Sequence, residues 1–193
     1  MVKGRGLRGL RVIAGSARGR RLSVPPGDDV RPTQDRVREA MFSALDARGA
    51  IVDASVLDLY AGTGALAIEA LSRGATSAVL VERSRTAAAS ARLNVETTGF
   101  ATVARVETRD VASFLAAPPR EAPFDLVLCD PPYDVAEEEL AAVLDALARP
   151  QWVAPDGLVV VEGPARSNVT SRDGLRVGWE RRFGDTLVTF LHP

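Results

Sequence analysis

The sequence predicts an α/β domain with a mostly parallel seven-stranded sheet that ends in an antiparallel hairpin. Three observations carry this. From about Ser55 onward, short apolar runs alternate with helical stretches, the pattern of repeated strand–helix units around a parallel sheet covered on both faces. A glycine-rich turn, Gly62-Thr63-Gly64, joins the first of these runs to the next helix. The tail then changes pattern: residues 176–182 and 186–191 flank Gly184-Asp185, a turn signal between two strand-like segments.

The elements follow in order. Residues 10–14 and 21–24 are strand-like and enclose Gly15-Ser16-Ala17-Arg18-Gly19, which reads as a small β-hairpin with arginines at its turn. Pro25-Pro26-Gly27 breaks the chain. Thr33 is then the expected cap of a helix reaching about Ala47, because Val37, Met41 and Leu45 fall on one face. Strands are expected at 56–59, 78–81, 101–106, 124–129 and 158–161. Helices are expected at 65–72, 84–97, 110–116 and 136–147. This divides the chain into a basic N-terminal arm, residues 1–30, and a larger domain, residues 31–193.

Composition narrows the function classes. A net charge of −1 conceals an asymmetry: residues 1–38 carry ten Lys/Arg against three acids, +7, and the remainder is −8. A basic arm on an acidic body suits a polyanionic partner held at one end, although a solvated tail has the same charge. No apolar run is long enough for a membrane span, and the N-terminus lacks the apolar core of a secretory signal, so the cytoplasm is the expected location. One cysteine, Cys129, and one histidine, His192, leave no disulfide and no conventional zinc cluster. Cys129, Trp152 and Trp179 are expected to pack in the core.

Two motifs carry chemistry. In Asp58-Leu59-Tyr60-Ala61-Gly62-Thr63-Gly64, the glycines permit a tight turn and close approach of a ligand to the next helix's free N–H groups. Glu82 ends the second strand, where a carboxylate can accept hydrogen bonds from both hydroxyls of a ribose. The same spacing fits the dinucleotide fingerprint G-x-G-x-x-A, so an NAD(P)-dependent oxidoreductase stays open at this point. Asp110, before Val111, can cap a helix. The second motif is Asp130-Pro131-Pro132-Tyr133, directly after a buried-looking strand. Its prolines stiffen an extended loop and have no N–H, leaving carbonyls for another partner. An Asp130 oxygen and the Pro131 carbonyl can each accept one N–H of an aromatic amine, aiming its lone pair at an electrophilic methyl. Tyr133 can stack on a base drawn out of its helix.

Two motifs in this order resemble Rossmann-like class I methyltransferases, whose first motif reads D-x-x-A-G-x-G. The N-terminal third is more specific. Arg11-Val12-Ile13-Ala14-Gly15, Arg18-Gly19-Arg20-Arg21-Leu22 and above all Arg31-Pro32-Thr33-Gln34-Asp35-Arg36-Val37-Arg38-Glu39 resemble the RsmD family of 16S ribosomal RNA guanine-N2 methyltransferases. The resemblance implies S-adenosylmethionine as methyl donor and S-adenosylhomocysteine as product. It implies methylation of one guanine, guanine 966, in a 30S subunit bearing its ribosomal proteins, by a monomer. Asp58, Ala61, Gly62, Gly64, Glu82, Asp110, Val111, Thr33 and Asp35 would then hold the cofactor. Asp130, Pro131, Pro132 and Tyr133 would be catalytic; Arg11, Arg18, Arg20, Arg21, Arg31 and Arg36 would bind RNA. A DNA adenine-N6 methyltransferase is the nearest alternative of the same chemistry.

Overall fold

The structure, a computed structural model, describes residues 9–25, 32–121 and 123–193; side chains 32–34 lie outside that description. Seven strands form one sheet in the order β3-β2-β1-β4-β5-β7-β6. The strands are β1 (Ser55–Leu59), β2 (Ser77–Glu82), β3 (Ala104–Thr108), β4 (Phe124–Cys129), β5 (Val153–Pro164), β6 (Arg176–Phe183) and β7 (Thr186–His192). The first five run parallel, and β7 pairs antiparallel with both β5 and β6. This is the Rossmann-like class I methyltransferase arrangement expected from the sequence. The chain order reverses between β1 and β4, so ligands are received at the carboxyl ends of these strands.

The central strands read as continuous apolar runs because both faces are covered. On one face Val56, Leu126, Leu128, Leu158 and Val160 pack under α1 (Pro32–Asp46), α2 (Ala65–Ser72) and α3 (Arg85–Thr98). On the other, Leu57, Leu59, Val127, Cys129, Val159 and Val161 pack under α4 (Val111–Leu115) and α5 (Glu137–Leu147). Trp152 is fully buried against Phe114, ring centroids 5.4 Å apart, and Trp179 packs on Phe190 at 4.7 Å. His192 is exposed at the end of β7.

Several boundaries differ from the sequence reading. The third strand starts at Ala104, since Phe100 closes a turn by accepting from the amides of Val103 and Ala104. Strand β5 extends well beyond 158–161 because its N-terminal half also reaches β4, across a register shift. Helix α1 begins at Pro32, so Thr33 stands in the first turn and not at the cap. The N-terminal hairpin has a single β-bridge, Arg11 to Arg21, in place of two strands.

That hairpin is held by its own cross-strand bonds, Val12 to Arg20, Gly19 to Val12 and Leu22 to Leu10, and also by α2. Glu69, fully buried, accepts hydrogen bonds from the amides of Ile13 at 2.7 Å and Ala14 at 3.0 Å and pairs with Arg73. One turn on, the Ser72 hydroxyl accepts from the Ala17 amide at 2.9 Å and donates to the Ala14 carbonyl. Leu10, Val12, Ala17 and Leu22 join the same core cluster as α1 and α2. Glu69→Ala would leave two amides without an acceptor and remove one of the two carboxylate partners of Arg73, which also meets Asp46. Its urea midpoint is expected to correspond to a loss of about 3 kcal/mol, with Glu69→Gln losing less.

Candidate active site

The turn after β1 is set by backbone conformations that few residues adopt. Tyr60 has φ 61°, Gly62 has φ 55° and Gly64 has φ 79°. The Gly64 amide donates to the Ala61 carbonyl at 2.7 Å, and Gly64 then begins α2. A Cβ at Gly64 would lie 2.7 Å from a Leu80 methyl, so glycine is required for packing as well as for φ. Gly62 faces open space, its would-be Cβ meeting nothing nearer than the Tyr60 carbonyl at 4.0 Å. A ligand can therefore approach that backbone closely.

Three acids stand around this turn. Asp58 is buried beneath it; one carboxylate oxygen accepts from the Ala67 amide at 3.0 Å and so fixes the start of α2. The other oxygen is buried with no donor among the described residues. Burial pushes the Asp58 carboxyl up to about 8, partly offset by the Ala67 hydrogen bond, while Asp130 and Glu82 push it further up. Glu82 accepts from the Gly62 amide at 2.9 Å with one oxygen and from the Ser84 amide at 2.6 Å with the other. Each oxygen keeps a second lone pair for a hydroxyl donor. Asp110 caps α4 by accepting from the Ser113 amide at 3.0 Å, and Val111 is buried behind it. A diol-accepting carboxylate, a loop open at Gly62 and an unsatisfied Asp58 oxygen fit an adenosine cofactor with a charged amino-acid end.

Asp130 follows β4 next to this turn, its amide 3.4 Å from the Leu59 carbonyl. Pro131 is buried, while Pro132 and Tyr133 are exposed, Tyr133 by 47%. The Pro132 carbonyl accepts from Val135 at 3.0 Å and closes the loop. Among the described residues nothing donates to the Pro131 carbonyl. The Asp130 carboxylate and the Pro131 carbonyl are two neighbouring acceptors with no donor among the described residues. Burial pushes Asp130 up to about 6.

Glu162 belongs to this site and was missed in the sequence. Strand β5 pairs Val161 with Cys129, so Glu162 is opposite Asp130 at the same edge. It is 8% exposed; burial pushes its carboxyl up to about 8, Asp130 adds to this, and Arg38 opposes it. Arg38 in turn is buried on α1 and donates to the Arg11 carbonyl at 2.7 Å and to Asp35 at 3.0 Å. The signal available in the sequence was a lone acid ending the run Leu158-Val159-Val160-Val161, at the ligand edge of a parallel strand.

Of the remaining expected residues, Asp35 is half-buried and engaged by Arg38. Arg11, Arg18, Arg20, Arg21 and Arg36 are exposed. Arg20 donates to the Thr97 carbonyl at 2.6 Å; among the described residues the other four form no ion pair. Arg31 and the Thr33 side chain lie outside the described residues, as do the first eight residues with Lys3, Arg5 and Arg8.

Residues 10–192 match the family described as conserved hypothetical protein 95. The chain is 39% identical over 160 residues to ribosomal RNA small subunit methyltransferase D of Escherichia coli K12, covering 83% of this chain and 77% of that one. A solved E. coli protein, yhhF, provisionally named a methyltransferase, superposes with a TM-score of 0.80 at 36% identity over 94% and 96% of the two chains. Magnesium protoporphyrin IX methyltransferase of Synechocystis, solved with bound SAM, shares the fold alone at 18% identity, TM-score 0.63, over 82% and 79%.

The raised Asp58 carboxyl has a measurable consequence. Its folded value lies above its unfolded one, so its contribution to stability is full below about pH 4 and is lost as pH rises through about 8. Relative to Asp58→Asn, the wild type is expected to lose up to about 1.4 kcal/mol per pH unit across that window, read from paired urea titrations.

Proposed function

The chain belongs to the conserved hypothetical protein 95 family, and from that premise we propose that it methylates the exocyclic N2 of guanine 966 in 16S ribosomal RNA. It is a methyltransferase by family, and its relatives named for small-subunit ribosomal RNA support an RNA substrate. The observation that carries the reading is the adjacency of two acceptors, the Asp130 carboxylate and the Pro131 carbonyl, to the turn at Gly62 and Glu82 on one sheet edge.

S-adenosylmethionine is the methyl donor and supplies a sulfonium-bound, electrophilic methyl group. Glu82 is placed for the ribose hydroxyls, the open backbone at Gly62 for close contact, and Asp110 for the adenine. Asp130 and Pro131 each accept one N–H of the guanine amine. That fixes the nitrogen and favours a pyramidal geometry, so orientation supplies most of the acceleration. Asp130 then takes the proton that the amine gives up once the N–C bond has formed. Burial raises both the Asp130 and the Glu162 carboxyl, and two buried carboxylates at one edge disfavour double ionisation. Tyr133, exposed at the loop, stacks on the base. Arg11, Arg18, Arg21 and Arg36 meet phosphates, which position the RNA without reading its sequence. The substrate in this reading is an assembled 30S particle in the cytoplasm, with ribosomal proteins beside the target, and the enzyme works as a monomer.

The test is methyl transfer from radiolabelled S-adenosylmethionine to 30S subunits that lack the modification, with the product nucleoside identified. N2-methylguanosine is expected. N6-methyladenine in DNA controls would overturn the substrate, and NAD binding without transfer would overturn the chemistry. Asp130→Ala is expected to lose on the order of 100-fold or more in rate, through loss of alignment. The wild-type rate is expected to fall as pH drops below about 6, where Asp130 gains a proton. Asp130→Asn keeps one acceptor oxygen, so residual transfer without that acid limb is expected.

A further inference from the structure

A cleft borders the catalytic loop and is lined by none of Gly62, Glu82 and Asp130. It has a volume of about 240 Å³ and is enclosed by Pro131-Pro132-Tyr133, by α5 and by the segment that connects β5 to β6. That segment lacks the helix that usually joins two parallel strands. Strands β5 and β6 run parallel with β7 between them, and residues 165–175 cross over without a helix. The space that a crossover helix would fill is left open beside α5.

The walls are held in place before any ligand arrives. The Ala165 amide donates to the Asp185 carbonyl at 2.7 Å, and Arg182 donates to the Ala165 carbonyl at 2.9 Å. Ser167 and Arg172 close turns to Pro164 and Leu175, each at 2.7 Å, while Val169 and Leu175 are anchored in the core. The floor is apolar, from Leu140 and Leu144 of α5 and from Val169. The rim is polar. Arg166 and Asn168 are exposed there, and neither is hydrogen-bonded to any described residue. Glu137, also on the rim, offers an acceptor to hydroxyl or amino groups. Tyr133 forms the wall shared with the catalytic loop.

The geometry points to a binding site for the nucleotide directly next to the target base on the same RNA strand. This rests on the reading that the chain methylates a base of ribosomal RNA. An apolar floor with an aromatic edge takes a base, whose faces stack on side chains. A neighbouring arginine takes the phosphate between that base and the target, and an amide such as Asn168 meets a base edge. Continuity selects this occupant. A strand whose target base stacks against one side of the Pro132–Tyr133 loop must pass over that loop, and the cleft opens immediately beyond it. The volume suits one base with part of its ribose and is below that of pockets for larger ligands. Holding the flanking nucleotide keeps the target extruded, so the cleft acts in substrate binding and not in the chemical step.

Three variants at positions outside the catalytic machinery test this. Arg166→Ala and Asn168→Ala remove exposed groups, and Ala141→Phe, on the cleft wall, fills the space. On unmodified 30S subunits each is expected to raise KM about tenfold, with kcat and S-adenosylmethionine affinity within twofold of wild type. A photo-crosslinking amino acid at position 168 is expected to label ribosomal RNA at the nucleotide adjoining the methylated guanine, mapped by primer extension. Unchanged KM in the two alanine variants, crosslinks only to distant RNA, or no RNA crosslink would overturn the cleft assignment. Absence of methyl transfer by the wild type would instead overturn the function reading. Intact wild-type transfer with a misplaced crosslink therefore separates the two failures.

Discussion

A parallel sheet that is apolar on both faces leaves its carboxyl edge as the place where polar side chains can gather. Here that constraint lines up residues that are remote in sequence. The register sets Glu162 opposite Asp130, and Glu82 ends the strand on the far side of β1. Asp58 lies one layer deeper, where the sheet has already excluded water. The raised carboxyl groups follow from this position: burial is the leading cause for Asp58, Asp130 and Glu162 alike. The edge is acidic and partly dehydrated, so it discriminates against a second negative charge and accepts hydrogen-bond donors.

Helix α2 connects this edge to the basic hairpin. Its first turn is secured by Asp58 through Ala67, and its last turns hold the hairpin through Glu69 and Ser72. Eight residues therefore fix both the glycine turn after β1 and the segment that carries Arg11, Arg18 and Arg21. Arg38 adds a second link, from the Arg11 carbonyl towards Glu162. The hairpin is positioned relative to the carboxyl edge of the sheet by buried and part-buried hydrogen bonds, which tolerate little displacement.

The strand–helix alternation and both motifs were legible in the sequence, because glycine and proline act locally and apolar periodicity is a local signal. Gly64 and the Asp130-Pro131-Pro132-Tyr133 loop fell where expected for that reason. Glu69, Ser72 and Glu162 were not legible as partners. Glu69 and Ile13 are 56 positions apart, and a glutamate within a helix reads as a solvated face until the fold brings amides to it. Glu162 acquires meaning only from the pairing of β5 with β4. The hairpin forms one bridge and not two full strands because its few cross-strand bonds are supplemented by contacts to α2 and the core, which local strand propensity does not reveal. The start of β3 was misplaced because a turn at Phe100 competes with the strand propensity of the residues that follow.

Among the described residues, strand β6 closes one side of the sheet with an unpaired edge of backbone donors and acceptors. Such an edge invites another copy to add a strand. Here it bears Arg176, Glu180, Arg181 and Arg182, all exposed, and its ladder slips between Val177 and Trp179. The opposite edge, β3, sets Arg105 against Glu107 and Glu121. Charge at both margins, joined at β6 by a slipped register, opposes growth of the sheet by strand addition, so the open ends of a parallel sheet carry their own brake against edge-to-edge stacking.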